Sequence, residues 1–376
     1  MPSFANLAAG DPAPWFQQRS FANPRYSFDT AAGRYVVLCF FGSAAHPHAQ
    51  AAIAAVRGLP AFFDDTTACF FGVSVDPADE SERRVADHYP GYRYFWDFDG
   101  AVGRLYGALP RESAPGQTGV PVRPMWLVLD PTLRVLKVIP FATDQSDIGE
   151  LTRYLSSLPP PHRFAGFELQ APILVLPNVF EEALCRQLVA LYETNGGEDS
   201  GFMQEVGGKT VSRHDPARKR RRDYVITDEA IIRETQARFI RRVVPEILKV
   251  HQFKATRMER YIVACYAAED AAHFAAHRDN TTKGTAHRRF AVSINLNEDF
   301  EGGEVSFPEY GPRSFKAPMG GAVVFSCSLM HAVSKVTRGR RFAFLPFLYD
   351  DEAARLREAN ARFVEEGKSG YKSGLT

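Results

Sequence analysis

Cysteine is scarce in this chain. Cys39, Cys69, Cys185, Cys265 and Cys327 are odd in number, widely spaced and set mostly in apolar runs. A disulfide framework needs paired, clustered cysteines, so core thiols in a reducing, cytoplasmic setting are expected instead. No apolar run approaches the roughly 20 residues that cross a bilayer, and no membrane partner is expected. Residues 1–14 lack the basic stretch and apolar run of a secretion leader. Charge of one sign is missing too: 45 basic and 44 acidic residues leave a net +1. That balance gives no global attraction for nucleic acid or an anionic surface, and neither is expected as a partner.

What the chain does have is length and apolar content. Its 376 residues exceed one ordinary core and imply two or three domains. Hydrophobic residues at 45% and charged residues at 24% are those of a globular protein. Three apolar runs of strand length, residues 35–41, 70–75 and 125–130, alternate with helical stretches at residues 49–59 and 81–89. Continuous apolar runs suit strands buried on both faces, and the alternation implies an α/β layer architecture. Residues 133–139 and 146–158 would add an edge strand and a last helix.

This first half resembles the thioredoxin-like fold, and more narrowly the peroxiredoxins. The resemblance rests on Gly10-Asp-Pro-Ala-Pro14, Val73-Ser-Val-Asp76 and Asp99-Gly-Ala-Val-Gly-Arg-Leu-Tyr-Gly107. Pro124 stands where such folds keep a cis-proline. The resemblance also implies a reactive cysteine in the loop after the first buried strand, but here that loop reads Gly42-Ser-Ala-Ala-His-Pro-His48. Without a thiolate there is no nucleophile for peroxide chemistry. Cys39 lies within the strand and reads as core, while His46 and His48 lack a third ligand and read as solvent-facing. A redox-inactive scaffold, docking module or dimerisation surface is expected. A thiol peroxidase using Cys39 or Cys69 is the alternative.

Three consecutive prolines, Pro159 to Pro161, favour a stiff extended linker. The expected division is a domain of residues 1–158, a linker of 159–165 and a second domain of 166–376.

The second half opens with a short strand in residues 171–178 and a helix in 180–192. An aperiodic, polar stretch follows at 196–222, ending in the basic run Arg218-Lys-Arg-Arg-Arg222, read as a solvated or substrate-contacting loop. A helix capped by Thr227 should be kinked or split at Pro245. From residue 259 onward short strand-like runs alternate with turn signals such as Glu301-Gly-Gly303 and Met319-Gly-Gly321, suggesting a sandwich or jelly roll. Residues 351–366 read as an amphipathic helix, and 368–376 as a frayed tail.

His277-Arg-Asp279 offers two ligands that share a face in an extended strand. With His331 they make a two-His, one-carboxylate set, the arrangement of non-haem Fe(II) oxygenases. A structural zinc, or no metal, is the rival reading, although structural zinc sites usually have four protein ligands. Of Arg340 and Arg341, only one should face inward, because strand residues alternate. His251, His273 and His287 lack partners at ligand spacing and read as surface or outer-layer residues.

Val263-Ala-Cys-Tyr266, His277-Arg-Asp279, Phe300-Glu-Gly-Gly-Glu304 and the stretch from His331 to Arg341 together resemble the 2-oxoglutarate/Fe(II) oxygenases of the prolyl 4-hydroxylase type. The resemblance covers residues 166–350 and implies a double-stranded β-helix (jelly roll) with flanking helices. It implies Fe(II) bound by His277, Asp279 and His331, with 2-oxoglutarate and dioxygen at the open positions and ascorbate as a further cofactor. Arg341 would pair with the distal carboxylate of 2-oxoglutarate, Tyr266 would hydrogen-bond the cosubstrate, and Asn295 would place a second polar side chain nearby. The implied activity is hydroxylation of an amino-acid, peptidyl or small-molecule substrate, with a homodimer as one assembly. The alternative is a binding module on an inactive oxygenase fold. Residues 196–222 and 280–289, polar and aperiodic, are the expected lids.

Overall fold

The computed structural model describes residues 3–112 and 121–364. The chain divides into two compact units, Met1–Gln170 with Pro308–Gly311, and Ala171–Phe307 with Pro312–Thr376.

The first unit is built on a five-stranded sheet. Its elements are β1 (Tyr35–Gly42), α1 (Pro47–Arg57), β2 (Ala68–Ser74), α2 (Pro77–Ser81), β3 (Tyr92–Trp96), α3 (Ala101–Tyr106), β4 (Met125–Leu129), β5 (Val135–Pro140) and α4 (Ser146–Ser157). The strand order is β3-β2-β1-β4-β5, with β1–β3 mutually parallel and β4 and β5 antiparallel. All eight residues of β1 are buried, as a central strand covered on both faces requires. Tyr35, Val37, Cys39 and Phe41 share a core with Ala49, Ile53, Leu151 and Leu155. On the other face Phe71 stacks on Phe95 and Phe40 meets Tyr106. Buried Asp147 ties this unit together, accepting from Trp126 Nε1 at 2.9 Å and Ala142 N at 3.0 Å and pairing with His48 Nε2 at 2.9 Å.

Two expectations for this unit fail. Residues 82–89 of the expected 81–89 helix are not helical. The Asp76 carboxylate starts α2 by accepting from Ala78 N at 2.9 Å, but the helix ends at Ser81 and Arg83 takes φ +53°. Asp87 is then drawn to Tyr94 N (2.9 Å), and its segment runs alongside β3. Pro124 is not cis. Among the described residues the cis bond is Tyr89–Pro90, while Arg123 N donates to Ala108 O and Phe141 N to Pro124 O, holding the chain extended into β4.

The second unit is a pair of antiparallel sheets with helices against one of them. Its first elements are β6 (Leu174–Leu176), α5 (Glu182–Asn195), β7 (Phe202–Val206), β8 (Lys209–Arg213), β9 (Lys219–Arg220) and β10 (Arg222–Val225). Then come α6 (Glu229–Arg242), α7 (Val244–His251), β11 (Arg257–Glu259), β12 (Ile262–Ala267), β13 (His273–His277) and β14 (Phe290–Asn295). The last are β15 (Val305–Ser306), β16 (Ser314–Phe315), β17 (Ala322–Ser326), β18 (His331–Val333), β19 (Arg340–Phe344), β20 (Phe347–Tyr349) and α8 (Asp351–Asn360). The larger sheet runs β11-β20-β14-β19-β12-β10, with β17 pairing β14 and β6; the smaller runs β9-β13-β18-β15-β16.

Alternation sorts the larger sheet's side chains. Val263, Cys265, Ile294, Phe342 and Phe344 pack against Leu184, Leu188, Phe239 and Val243 of the helices. Ile262, Ala264 and Tyr266 share the opposite core with Phe274 and Val333 of the smaller sheet. The residues between the outward set, Ser293, Asn295 and Arg341, are buried on that inner side.

Pro245 splits the long helix into α6 and α7, where it occupies the first turn of the second. The cap is Asp228 rather than Thr227: its Oδ1 accepts from Ala230 N (2.7 Å) and Ile231 N (3.3 Å). Residues 196–222 are not a loop. They hold the β7–β8 hairpin, turning on Gly207 and Gly208, both at positive φ as such a turn demands, and then β9. The C-terminal helix ends at Asn360 and a 3-10 turn covers Ala361–Phe363; residues 368–376 lie outside the described residues.

Candidate active site

His277 closes β13 and stands directly opposite His331, the first residue of β18. Asp279 lies just past the strand end rather than within it, its amide donating to Cys327 O (3.0 Å). Its carboxylate oxygens sit 3.5 Å from His277 Nε2 and 3.4 Å from His331 Nε2. The three ligand atoms all lie within 4.8 Å of one another.

Both imidazoles are aimed by the same device. His277 Nδ1 contacts Ala275 O at 2.8 Å, and His331 Nδ1 contacts Leu329 O at 3.1 Å. A carbonyl oxygen can only accept, so each Nδ1 carries the proton and each Nε2 presents a lone pair toward Asp279. Burial, reinforced by neighbouring His277, pushes His331 down to about 4, which keeps it in the neutral form a metal requires. Burial alone would raise the Asp279 carboxyl, whereas a proton carried by a neighbouring imidazole, His331 foremost, lowers it below the usual carboxylate range. Phe274 stacks on His277 at 3.5 Å between ring centres, and Phe325 lies 4.5 Å from His331. This donor set, two nitrogens and one carboxylate with no fourth His, Cys, Asp or Glu ligand grouped with them among the described residues, fits Fe(II).

A second group lies on the inner face of the larger sheet. Arg341 is 2% exposed, and its Cα stands opposite that of Tyr266. Its Nε donates to Asn295 Oδ1 (2.9 Å) and its Nη2 to Ser293 Oγ (2.7 Å). Its Nη1 is buried with no partner among the described residues. Burial lowers the Arg341 pKa from its ordinary value, yet a guanidinium remains a cation at neutral pH. A buried cation with a free donor calls for an anion, and a carboxylate matches its planar fork. Asn295 spends its amide holding Arg341 and, through Nδ2, Ala317 O (2.7 Å), so it orients the arginine. Arg340 points the other way and pairs with Glu193 (2.9 Å).

The basic run is solvated only in part. Lys219 and Arg221 are both 7% exposed, whereas Arg220 and Arg222 are exposed. Lys219 Nζ donates to Gly201 O and Ser200 Oγ and lies over Phe274. Arg221 pairs with Asp223 (2.6 Å) and donates to Tyr266 Oη (3.3 Å). Ser293 and Arg221 are the residues that sequence reasoning missed. For Arg221 the signal was present: positions 219, 221 and 223 share one face of an extended segment.

The expected lids are fastened. Gly284 N donates to Thr210 Oγ1 of β8 and Asn360 Nδ2 to Lys283 O, both at 2.9 Å. His287, 2% exposed, is not a surface residue; it and Arg288 both bond the buried Glu259. His273 is bound to backbone carbonyls of Ala271 and Ala217, and His251 packs on Phe290. In the first unit the absence of cysteine from the 42–48 loop is matched by deep burial of its two thiols, Cys39 and Cys69. Burial raises Cys39 far above its ordinary value and Cys69 to about 11.

Comparison with known proteins matches one stretch in each unit. Residues 261–349 match the family model of the 2OG-Fe(II) oxygenase superfamily, and residues 9–136 that of the AhpC/TSA family. The chain is 42% identical over 79 residues to a PKHD-type hydroxylase of Paracoccus denitrificans (strain Pd 1222), covering 19% of this chain and 35% of that protein. It is 35% identical over 80 residues to a PKHD-type hydroxylase of Cupriavidus metallidurans, with the same coverage. The chain thus spans about a third of the length of the curated relatives it matches. Peroxidoxin BcpB of Mycobacterium tuberculosis is similar to 41% of this chain over 99% of its own length, at 22% identity and a TM-score of 0.35. The chain carries a 2OG-Fe(II) oxygenase domain after a peroxiredoxin-like, thioredoxin-fold domain.

Proposed function

We propose that this chain is an Fe(II)- and 2-oxoglutarate-dependent dioxygenase, which hydroxylates an amino-acid, peptidyl (prolyl included) or small-molecule substrate and releases succinate and carbon dioxide. The observation that carries the reading is the pairing of two features: three convergent ligands, and a buried arginine with a free donor. His277, Asp279 and His331 would hold the iron. When bound, the iron and dioxygen supply the redox chemistry that couples loss of carbon dioxide from 2-oxoglutarate to oxidation of a C–H bond. Arg341 would bind the distal carboxylate, held in aim by Asn295 and Ser293. The hydrophobic walls Phe274 and Phe325 keep the imidazoles from rotating and exclude water around them. Asp279 favours hydroxylation over halogenation, because a halogenating site gives up the carboxylate to make room for halide. We assign the first domain no thiol chemistry, and a scaffolding, docking or dimerising role.

The test is succinate formation from 2-oxoglutarate by the full chain, screened over free amino acids, peptides and cell extract, with mass spectrometry for a gain of one oxygen. Formation should need iron, and His277→Ala or Asp279→Ala should lower it by more than about 100-fold. Either variant turning over at the wild-type rate would sink the assignment. A cysteine-free variant that still consumes peroxide would dismiss the thiol reading of that activity.

A further inference from the structure

We infer that Arg221 is a positioning residue, which orients the Tyr266 hydroxyl toward the distal carboxylate of the cosubstrate. The inference rests on the dioxygenase reading above. Arg221 Nη1 donates to Tyr266 Oη at 3.3 Å, and Nη2 is anchored on Asp223 Oδ2 (2.6 Å) and Ser200 Oγ (3.2 Å). A guanidinium has donors only, so the phenol oxygen must accept this bond and its own proton must point elsewhere. Among the described residues no acceptor takes that proton.

Tyr266 is also the meeting point of two cations. The guanidinium carbons of Arg221 and Arg341 lie 5.7 Å and 5.3 Å from its ring centre. The carboxylate of Asp223 is shared by Arg221 and Arg260, while Arg341 has no acidic partner among the described residues. An acid at Arg341 Nη1 would receive the Tyr266 proton as a second hydrogen bond and balance the buried charge. Arg221 therefore does its work without touching the ligand. By donating to the phenol oxygen it turns the Tyr266 O–H bond away from itself and leaves that proton for the ligand.

Acting through another side chain leaves two marks. The effect of Arg221 must require the Tyr266 hydroxyl, and it must require a distal acid on the ligand. The experiment is calorimetric titration of the Mn(II)-loaded full chain, without oxygen, with 2-oxoglutarate and with 2-oxobutyrate, which lacks the distal carboxylate. Arg221→Met and Tyr266→Phe should each weaken 2-oxoglutarate about 10-fold, the loss typical of a hydrogen bond to a charged group. The double variant should be no weaker than Tyr266→Phe alone, and 2-oxobutyrate should bind wild type and Arg221→Met within about twofold. Losses that multiply in the double variant, or an equal loss with 2-oxobutyrate, overturn the inference and leave the dioxygenase reading standing. If Arg221→Met fails to fold, Arg221→Lys carries the same comparisons: it keeps the charge beside Asp223 but not the planar fork. Wild-type protein that takes Mn(II) but not 2-oxoglutarate overturns the underlying reading and this inference together.

Discussion

Asp223 shows how much one carboxylate does in this site. Its side chain is 11% exposed and faces Arg221, Arg260 and Lys219. Burial opposes its ionisation, but the cations prevail, Arg221 foremost, and hold it at about 2. That lies below the roughly 3.9 of an unfolded aspartate. A depressed carboxylate contributes stability above the unfolded value and loses it as pH falls through the folded one. The stabilisation should therefore be whole at pH 7 and vanish between about pH 4 and pH 2. Asp223→Asn should cost on the order of 2 kcal/mol at pH 7 and much less at pH 2.5. Urea unfolding of both proteins at the two pH values measures it, and a loss independent of pH would show that the ion pairs are not its source.

At the scale of elements, the helices were legible where periodicity, capping and proline agreed. Pro245 marked the break between α6 and α7, and only the cap moved by one residue, from Thr227 to Asp228. Asp228→Ala should destabilise the fold by about 1 kcal/mol through α6 alone, seen as a lower thermal midpoint with unchanged metal affinity. The central strands were legible from unbroken apolar runs. The β7–β8 hairpin and β9 were not, because the few apolar residues there, Phe202, Met203, Val206 and Val211, do not alternate strictly with polar ones, and β9 is only two residues long and pairs with the distant β13. Lys219 and Arg221 hid within a five-residue basic run whose other members are less buried or exposed. Residues 81–89 have helical spacing, but Asp87 finds its partner across the turn in Tyr94, a contact invisible in one dimension. At the site, ligand types and spacing picked out the three side chains that converge. Ser293 could not be read, since only folding brings it 2.7 Å from a residue 48 positions away.

The whole molecule keeps its thiols out of reach. All five cysteines are free and buried, in both units. In native protein none should react with a small aromatic disulfide reagent on the minute timescale, and all five should react in guanidinium. A fast-reacting native thiol would revive a redox role for the first domain. No helix among the described residues is long and apolar enough to cross a membrane.

The facing of His277 and His331 across β13 and β18 carries a further consequence. The two rings are 54 residues apart along the chain but 4.3 Å apart in space. An ion shared between them is a removable cross-link, closing a long loop that the unfolded chain closes only at an entropic cost. It binds the native register alone, since a slip of one residue would turn one imidazole to the other face of the sheet. On the dioxygenase reading, free metal concentration would thus control the cohesion of the smaller sheet, each tenfold rise above the dissociation constant adding about 1.4 kcal/mol.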